Sequence, residues 1–193
     1  LQLQPDLVLL WPDSIGSAQR QQLQHLGIPL LIVEPRKLAD LAENFVEIGT
    51  RIGRAEQGRQ LQRKFNAGLA ELRQRYQRET PLRLFYQIWD VPLYTIGGQQ
   101  IISDALSICG AENIFAELAL PAPQVSVEAV LQANPAVILA GVQGQLDAWR
   151  SWPGVAAVAR EQLWLVPDAG LERPSFQMLG ALQQLCEQLA EAR

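Results

Sequence analysis

The first third of the chain alternates strand-like apolar segments with an amphipathic helix, and this order restricts the fold more than any other sequence feature. Residues 5–11 ("PDLVLLW") and 28–34 ("IPLLIVE") have the composition of buried strands, and "AQRQQLQHLG" between them has the pattern of a helix that ends at Gly27. A strand, a helix and a strand in succession form a βαβ unit, whose strands are parallel and whose crossover is right-handed. The sequence therefore predicts an α/β protein.

A long helical stretch follows this unit. Apolar residues recur at three- to four-residue spacing from Lys37 to Gln77, and "GTRIG" at 49–53 interrupts the pattern. We expect a helix of about 25 residues from Arg54 onward, which would run roughly 37 Å at 1.5 Å per residue. A helix of this length suits a rigid connection between two lobes.

The alternation of strands and helices resumes after Pro81. Strands are predicted at 82–88, 136–141 and 162–167, and helices at 99–109, 126–133 and 174–192. We therefore predict three parts. These are the remainder of an N-terminal α/β lobe at 1–53, a long inter-lobe helix at 54–79 and a C-terminal α/β lobe at 80–193.

Composition excludes several classes of protein. With 193 residues, 48% of them hydrophobic, the chain can bury a sizeable core. A net charge of -4 argues against a nucleic-acid partner, which would need clustered Lys and Arg. The longest apolar runs have about five residues, far short of the roughly 20 that a membrane-spanning helix requires. The first residues lack the basic head of a signal peptide, as expected of a cytosolic, processed or incomplete chain.

The residues available for catalysis are few. His25 is the one histidine in the sequence, so no cluster of histidine ligands for a metal and no histidine base beside a nucleophile can form. Phosphate-loop, dinucleotide and GxSxG motifs are absent as well. The sequence thus predicts neither a metal site nor an enzyme.

Three predicted strands end in segments suited to binding. Trp11 ends the first strand, Trp89 and Tyr94 follow the strand at 82–88, and the loop "DAGLERP" at 168–174 follows the strand at 162–167. Parallel sheets bind ligands in the crevice outside the carboxyl ends of their strands. Each aromatic residue either packs in the core or faces a foreign ligand, and their shared location favours a cleft for a small molecule.

The two cysteines leave two interpretations open. Cys109 and Cys186 fit neither a zinc knuckle nor a CxxC redox pair. They are either buried free thiols or a disulfide, and a disulfide would imply an oxidising compartment.

Glu128 also has two interpretations. It follows Ser126 at the start of a predicted helix, where its carboxylate would stabilise the positive end of the helix dipole. Alternatively, it is an exposed acidic group that binds a partner.

The segments "FYQIWDVPLYTIGGQQIISDALSICGAENIF", "PAPQVSVEAVL", "PAVILAG" and "DAGLERPS" together resemble the periplasmic cobalamin-binding proteins. These deliver vitamin B12 to an ABC importer and belong to the substrate-binding proteins whose lobes are joined by one long helix. The similarity extends over essentially the whole chain and is strongest from Leu82 onward.

The resemblance implies a chelatase-like architecture of two lobes with central parallel sheets flanked by helices. Family members carry further strands before the strand at 5–11, so we expect the first lobe to be incomplete here. The resemblance also implies a disulfide between Cys109 and Cys186, a periplasmic location and docking of Glu128 against arginines of the permease. The ligand contacts that we expect are Trp11, Trp89, Tyr94, Asp168, Ala169, Gly170, Leu171, Glu172 and Arg173. Family members can carry tryptophan where this chain has Ala122 and Ala169, so the second-lobe side of the pocket should be less aromatic.

The expected function is capture of cobalamin between the lobes and its delivery to the permease subunits of the importer. We expect no cofactor apart from this transported ligand, and a monomer when the protein is complete. A haem or iron-siderophore carrier of the same fold is an alternative. A chelatase-like enzyme acting on tetrapyrroles fits less well, because the cleft segments lack a second histidine or an acidic cluster.

Overall fold

The computed structural model describes residues 5–12 and 14–192, and its first elements form the predicted βαβ unit. β1 (Val8–Leu10) and β2 (Leu30–Ile32) are parallel neighbours, and α1 (Ser17–His25) connects them. Gly27 has a φ of +71°, the left-handed conformation that ends a helix cheaply at glycine. Both strands are shorter than the apolar segments that predicted them.

The next two helices pack closely against each other. α2 (Leu38–Arg51) and α3 (Ala55–Tyr76) are separated by a three-residue turn that includes Gly53. A Cβ atom on Gly58 would overlap the carbonyl oxygen of Phe45, so glycine is what allows this approach. α3 contains 22 residues and therefore spans about 33 Å, close to the predicted length.

The second part of the chain has a five-stranded sheet centred on β3 (Leu82–Trp89). One edge of β3 pairs with β4 (Tyr94–Thr95) and β5 (Ala111–Asn113), and the other edge pairs with β6 (Val137–Ala140), which is followed by β7 (Leu163–Leu165). All these pairs are parallel except that of β3 with β4. The carboxyl ends of β3, β6 and β7 therefore meet at one edge of the sheet.

Helices cover both faces of this sheet. They are α4 (Ile101–Ile108), α5 (Val127–Ala133), α6 (Gln143–Trp149), α7 (Ala156–Ala159) and α8 (Met178–Ala190). Side chains alternate between the faces of a strand. Leu84 and Tyr86 accordingly pack in a core with α2, α3, α4 and α8, whereas Phe85 packs in a second core with α5, α6 and α7.

The predicted fold class is confirmed, and so is the disulfide between Cys109 at the end of α4 and Cys186 on α8. The sequence reasoning missed β4, β5, α6 and α7, and the closing helix begins at Met178 rather than at residue 174. The division of the chain into parts at residues 53 and 79 stays a prediction. Leu38 and Leu41 of α2 belong to the same core as the second sheet, so that core extends across the boundary at 79.

Candidate ligand-binding site

A cavity of about 380 Å³ lies at the carboxyl ends of β1 and β2. Trp11, directly after β1, forms one wall, and its side chain is 46% exposed. Arg173, from the loop after β7, lines the cavity as well. The remaining lining residues are Val33, Pro35, Leu41, Asn44, Phe45, Ile48, Pro174, Ser175 and Phe176. The lining is therefore mostly apolar, with a tryptophan and a guanidinium as its most distinctive groups.

Protein contacts hold the loop at 168–173 in place. The residues Ala169–Glu172 form a 3₁₀ turn, and Asp168 caps it by accepting the backbone N–H of Gly170 at 2.7 Å. The other carboxylate oxygen of Asp168 accepts from Nε2 of Gln184 on α8 at 3.2 Å. Leu171 is completely buried in the core. The side chains of Asp168 and Leu171 therefore stabilise the loop, although both were predicted to contact a ligand.

A hydrogen bond from the sheet holds the side chain of Glu172. The hydroxyl of Tyr86 on β3 donates to Oε1 of Glu172 at 3.1 Å. Burial, and then the neighbouring Glu172 carboxylate, raise the pKa of Tyr86 far above its usual range, so the hydroxyl remains a donor. In the same loop Ala169 and Arg173 are exposed, and Gly170 is half-buried.

Trp89, the last residue of β3, and Tyr94, the first residue of β4, lie at a separate strand end. Trp89 is 57% exposed, and its ring N–H donates to the carbonyl of Val91 at 3.2 Å. Tyr94 is half-buried and pairs by an isolated bridge with Gln124. The structure thus brings Trp11 together with Arg173 in one cavity, and Trp89 and Tyr94 are not among the residues that line it.

Sequence reasoning missed the phenylalanines of this cavity. Phe45 of α2 and Phe176, just before α8, pack with Phe65 of α3, with ring centroids 5.4 to 6.3 Å apart. Phe45 lies in the stretch from Lys37 to Gln77 whose apolar spacing predicted helix, and nothing in that periodicity separates a core residue from one that also lines a cavity.

The segment that leaves β2 is attached to the second sheet's helices. Nη1 of Arg36 donates to Oε1 of Gln99 at 3.0 Å, and the backbone N–H of Leu38 donates to Asp104 of α4 at 2.8 Å. Asp40 accepts from the backbone N–H groups of Arg36 and Lys37. The start of α2 is therefore fixed to α4 beside the cavity.

Glu128 lies apart from the cavity and is exposed in the first turn of α5. Oγ of Ser126 accepts from the backbone N–H of Ala129 at 3.2 Å, which confirms the predicted cap. Hydrogen bonding to its own backbone N–H, and then to the hydroxyl of Ser126, lowers the pKa of the Glu128 carboxyl. These contacts support the capping interpretation. The Glu128 side chain is also exposed, so a partner could reach its carboxylate.

A second cavity, of about 590 Å³, lies beside the end of α3 and the start of β5, and Arg73, Ser107 and Glu112 are among its lining residues. Across 5–12 and 14–192, no cluster of three or more His, Cys, Asp or Glu side chains is placed to bind a metal ion. Within the same ranges no helix has the length and apolar character needed to cross a bilayer.

An α/β architecture with an aromatic cavity at its strand ends is typical of a protein that binds a small molecule. The family model described as "Periplasmic binding protein" matches residues 1–169. The chain belongs to this family, as its sequence indicated.

Two named relatives are similar along nearly the whole chain. A "Vitamin B12-binding protein" of Yersinia pestis is 35% identical over 195 residues, which cover 98% of this chain and 68% of the relative. The crystal structure of the periplasmic vitamin B12-binding protein of Vibrio cholerae has a TM-score of 0.83 and 31% identity, and covers 98% of this chain and 75% of that one.

A haem-binding protein shares the fold at much lower identity. The periplasmic haem-binding protein of Vibrio cholerae matches with a TM-score of 0.84 but only 14% identity, over 97% of this chain and 78% of that one. This likeness shows the fold alone.

Proposed function

We propose that this protein binds cobalamin in the crevice at its strand ends and delivers it to the membrane subunits of an ABC importer. The observation that carries the proposal is the cavity that two residues line together. These are the exposed Trp11, directly after β1, and Arg173, from the loop after β7. The choice of ligand is supported by relatives named vitamin B12-binding proteins, which are 32 to 35% identical across 98 to 100% of the chain.

The chemistry of the crevice suits a large, flat, mostly apolar ligand. Aromatic rings offer a macrocycle broad contact area at a small cost in conformational entropy. Trp11 and the phenylalanines of the cavity supply such area on one side. Trp89 and Tyr94 at the neighbouring exit would contact parts of the ligand that extend beyond the cavity.

From the loop at 168–173, we assign direct contacts to Ala169, Gly170 and Arg173. Ala169 and Arg173 are exposed, and Gly170 offers backbone without a side chain. Glu172 would contribute through its position at the rim. Asp168 and Leu171 would act by holding the loop, because their side chains are engaged by the protein.

The protein would act in the periplasm, where the disulfide between Cys109 and Cys186 is chemically stable. Its partner there would be the permease, and the exposed Glu128 would pair with permease arginines. We assign no catalytic step and no resident cofactor to the protein, since its relatives are named for binding.

Haem is the closest competing ligand. The haem-binding protein shares the fold at 14% identity, whereas the B12-binding structure shares 31%. His25, the sole histidine of the sequence, lies exposed in the last turn of α1 and lines neither cavity described above. The described residues therefore place no histidine where it could bind a haem iron in the crevice.

The test is a calorimetric titration of the protein, expressed from its complete gene, with cyanocobalamin, haemin and a ferric hydroxamate. We expect one cyanocobalamin per protein, with an affinity at least tenfold above that for either competitor. Tighter binding of haemin than of cyanocobalamin would overturn the proposed ligand. Absence of binding to all three would overturn the assignment of the crevice.

A further inference from the structure

One buried hydroxyl connects the central strand of the second sheet to the ligand loop. Tyr86 lies on β3, is 1% exposed and donates its hydroxyl proton to Oε1 of Glu172 at 3.1 Å. Glu172 itself is exposed. The hydrogen bond therefore runs from the rigid interior to the surface loop that leads into the cavity.

The two halves of this loop are held differently. Asp168 fixes the first half through Gly170 and Gln184, and Leu171 anchors the middle by burial. After Leu171, the side chain of Glu172 is held by its hydrogen bond with Tyr86. The next residue is Arg173, which lines the cavity together with Trp11.

We propose that Tyr86 is a positioning residue for ligand binding: its hydroxyl fixes Glu172 and thereby sets the place of Arg173 at the cavity. This inference rests on the proposed function of the crevice. Tyr86 itself lies in the core and does not line the cavity. Its effect on the ligand is thus exerted through the loop.

The exposure of Glu172 separates this role from a purely structural one. When Tyr86→Phe removes the hydroxyl, water can solvate the exposed carboxylate, so no buried charge is left without a partner. The ring remains in the core and its packing is unchanged. The main consequence should be a less ordered loop rather than a less stable protein.

The experiment compares Tyr86→Phe with Tyr76→Phe in the protein expressed from its complete gene. Tyr76 is a suitable control because it is a half-buried tyrosine that packs against the same core, yet it lies at the end of α3 and lines neither described cavity. Affinity and dissociation rate for cyanocobalamin, melting temperature, and amide exchange at 170–173 are measured for both.

We expect Tyr86→Phe to weaken cyanocobalamin binding about fivefold, the effect of one hydrogen bond of ordinary strength. Dissociation should become faster, and amide exchange at 170–173 should rise in the ligand-free protein. Its melting temperature should shift no more than that of Tyr76→Phe. Glu172→Gln, which keeps an acceptor oxygen, should retain most of the affinity.

A double-mutant cycle gives the decisive result. Glu172→Ala should weaken binding, and Tyr86→Phe combined with it should weaken binding no further, since both remove the same contact. Additive losses, or unchanged affinity and exchange in Tyr86→Phe, would overturn the inference. A lower affinity accompanied by faster exchange throughout the sheet would overturn it too, because that is general destabilisation. If the unmodified protein binds no cobalamin, the proposed function fails, and exchange at 170–173 still decides whether Tyr86 positions the loop.

Discussion

Truncation of Trp11 tests the cavity most directly. A tryptophan side chain that is buried in full covers about 150 to 250 Å². Trp11 is 46% exposed, so roughly 70 to 115 Å² of it remain for a ligand to cover. At about 25 cal/mol per Å² this area contributes about 2 to 3 kcal/mol to binding, or roughly 30- to 150-fold in affinity. We therefore expect Trp11→Ala to weaken cyanocobalamin binding by that factor.

Trp152→Ala is the matched control for this measurement. Trp152 is 43% exposed, nearly the same fraction as Trp11, but it lines a different, smaller cavity beside α6. The same truncation there should leave the affinity unchanged, as measured by calorimetry or by quenching of tryptophan fluorescence. A loss of less than about threefold in Trp11→Ala, or equal losses in both variants, would show that Trp11 is not a wall of the binding site.

Two further predictions concern stability and docking. The disulfide closes a loop of 77 residues, so replacing Cys109 and Cys186 by alanine should lower the free energy of unfolding by about 4 kcal/mol in urea titrations; a loss below about 1 kcal/mol would contradict the loop-entropy estimate. The lowered pKa of Glu128 means that its contribution to stability is present above the unfolded-state pKa and is lost as the pH falls through the folded-state value. Glu128→Gln should therefore make the stability depend slightly less on pH in the acid range. The same change should weaken permease binding, most strongly at low salt. Unchanged permease binding in surface plasmon resonance would disprove the docking role.

Those parts of the fold that follow from local rules could be predicted from the sequence. Ser126 caps α5 at the start of the helix predicted at 126–133, and Gly110, with a φ of +67°, directly follows the end of the helix predicted at 99–109. β4 has two residues and β5 three, and strands this short carry no readable periodicity. They exist because β3 is long enough to pair with both along one edge. This pairing depends on the tertiary structure, so the sequence pattern alone did not predict β4 and β5.

For the site, the sequence placed the candidate residues in loops at the ends of strands, and the structure shows which protein groups their side chains contact. Asp168, Leu171 and Glu172 stand in a loop that borders the cavity, and the resemblance implied that the whole loop contacts the ligand. Their actual partners are Gly170, Gln184, the core and Tyr86, which lie between 2 and 86 positions away in the chain. A single sequence does not reveal such pairings, and a carboxylate that faces inward looks the same in it as one that faces a ligand.

Hydrogen bonds around the start of α2 join the β1–β2 side of the crevice to the second part of the chain. Arg36 and Leu38 bond to Gln99 and Asp104, so the segment that follows β2 is tied to the helices of the second sheet. α2 also buries its apolar side in the core that holds Leu171, two residues before Arg173. The α2 side of the cavity and the loop that carries Arg173 therefore pack against one core. Because α2 and the loop share this core, we expect the affinity to depend more on the local contacts of Trp11 and Arg173 than on closure of the lobes.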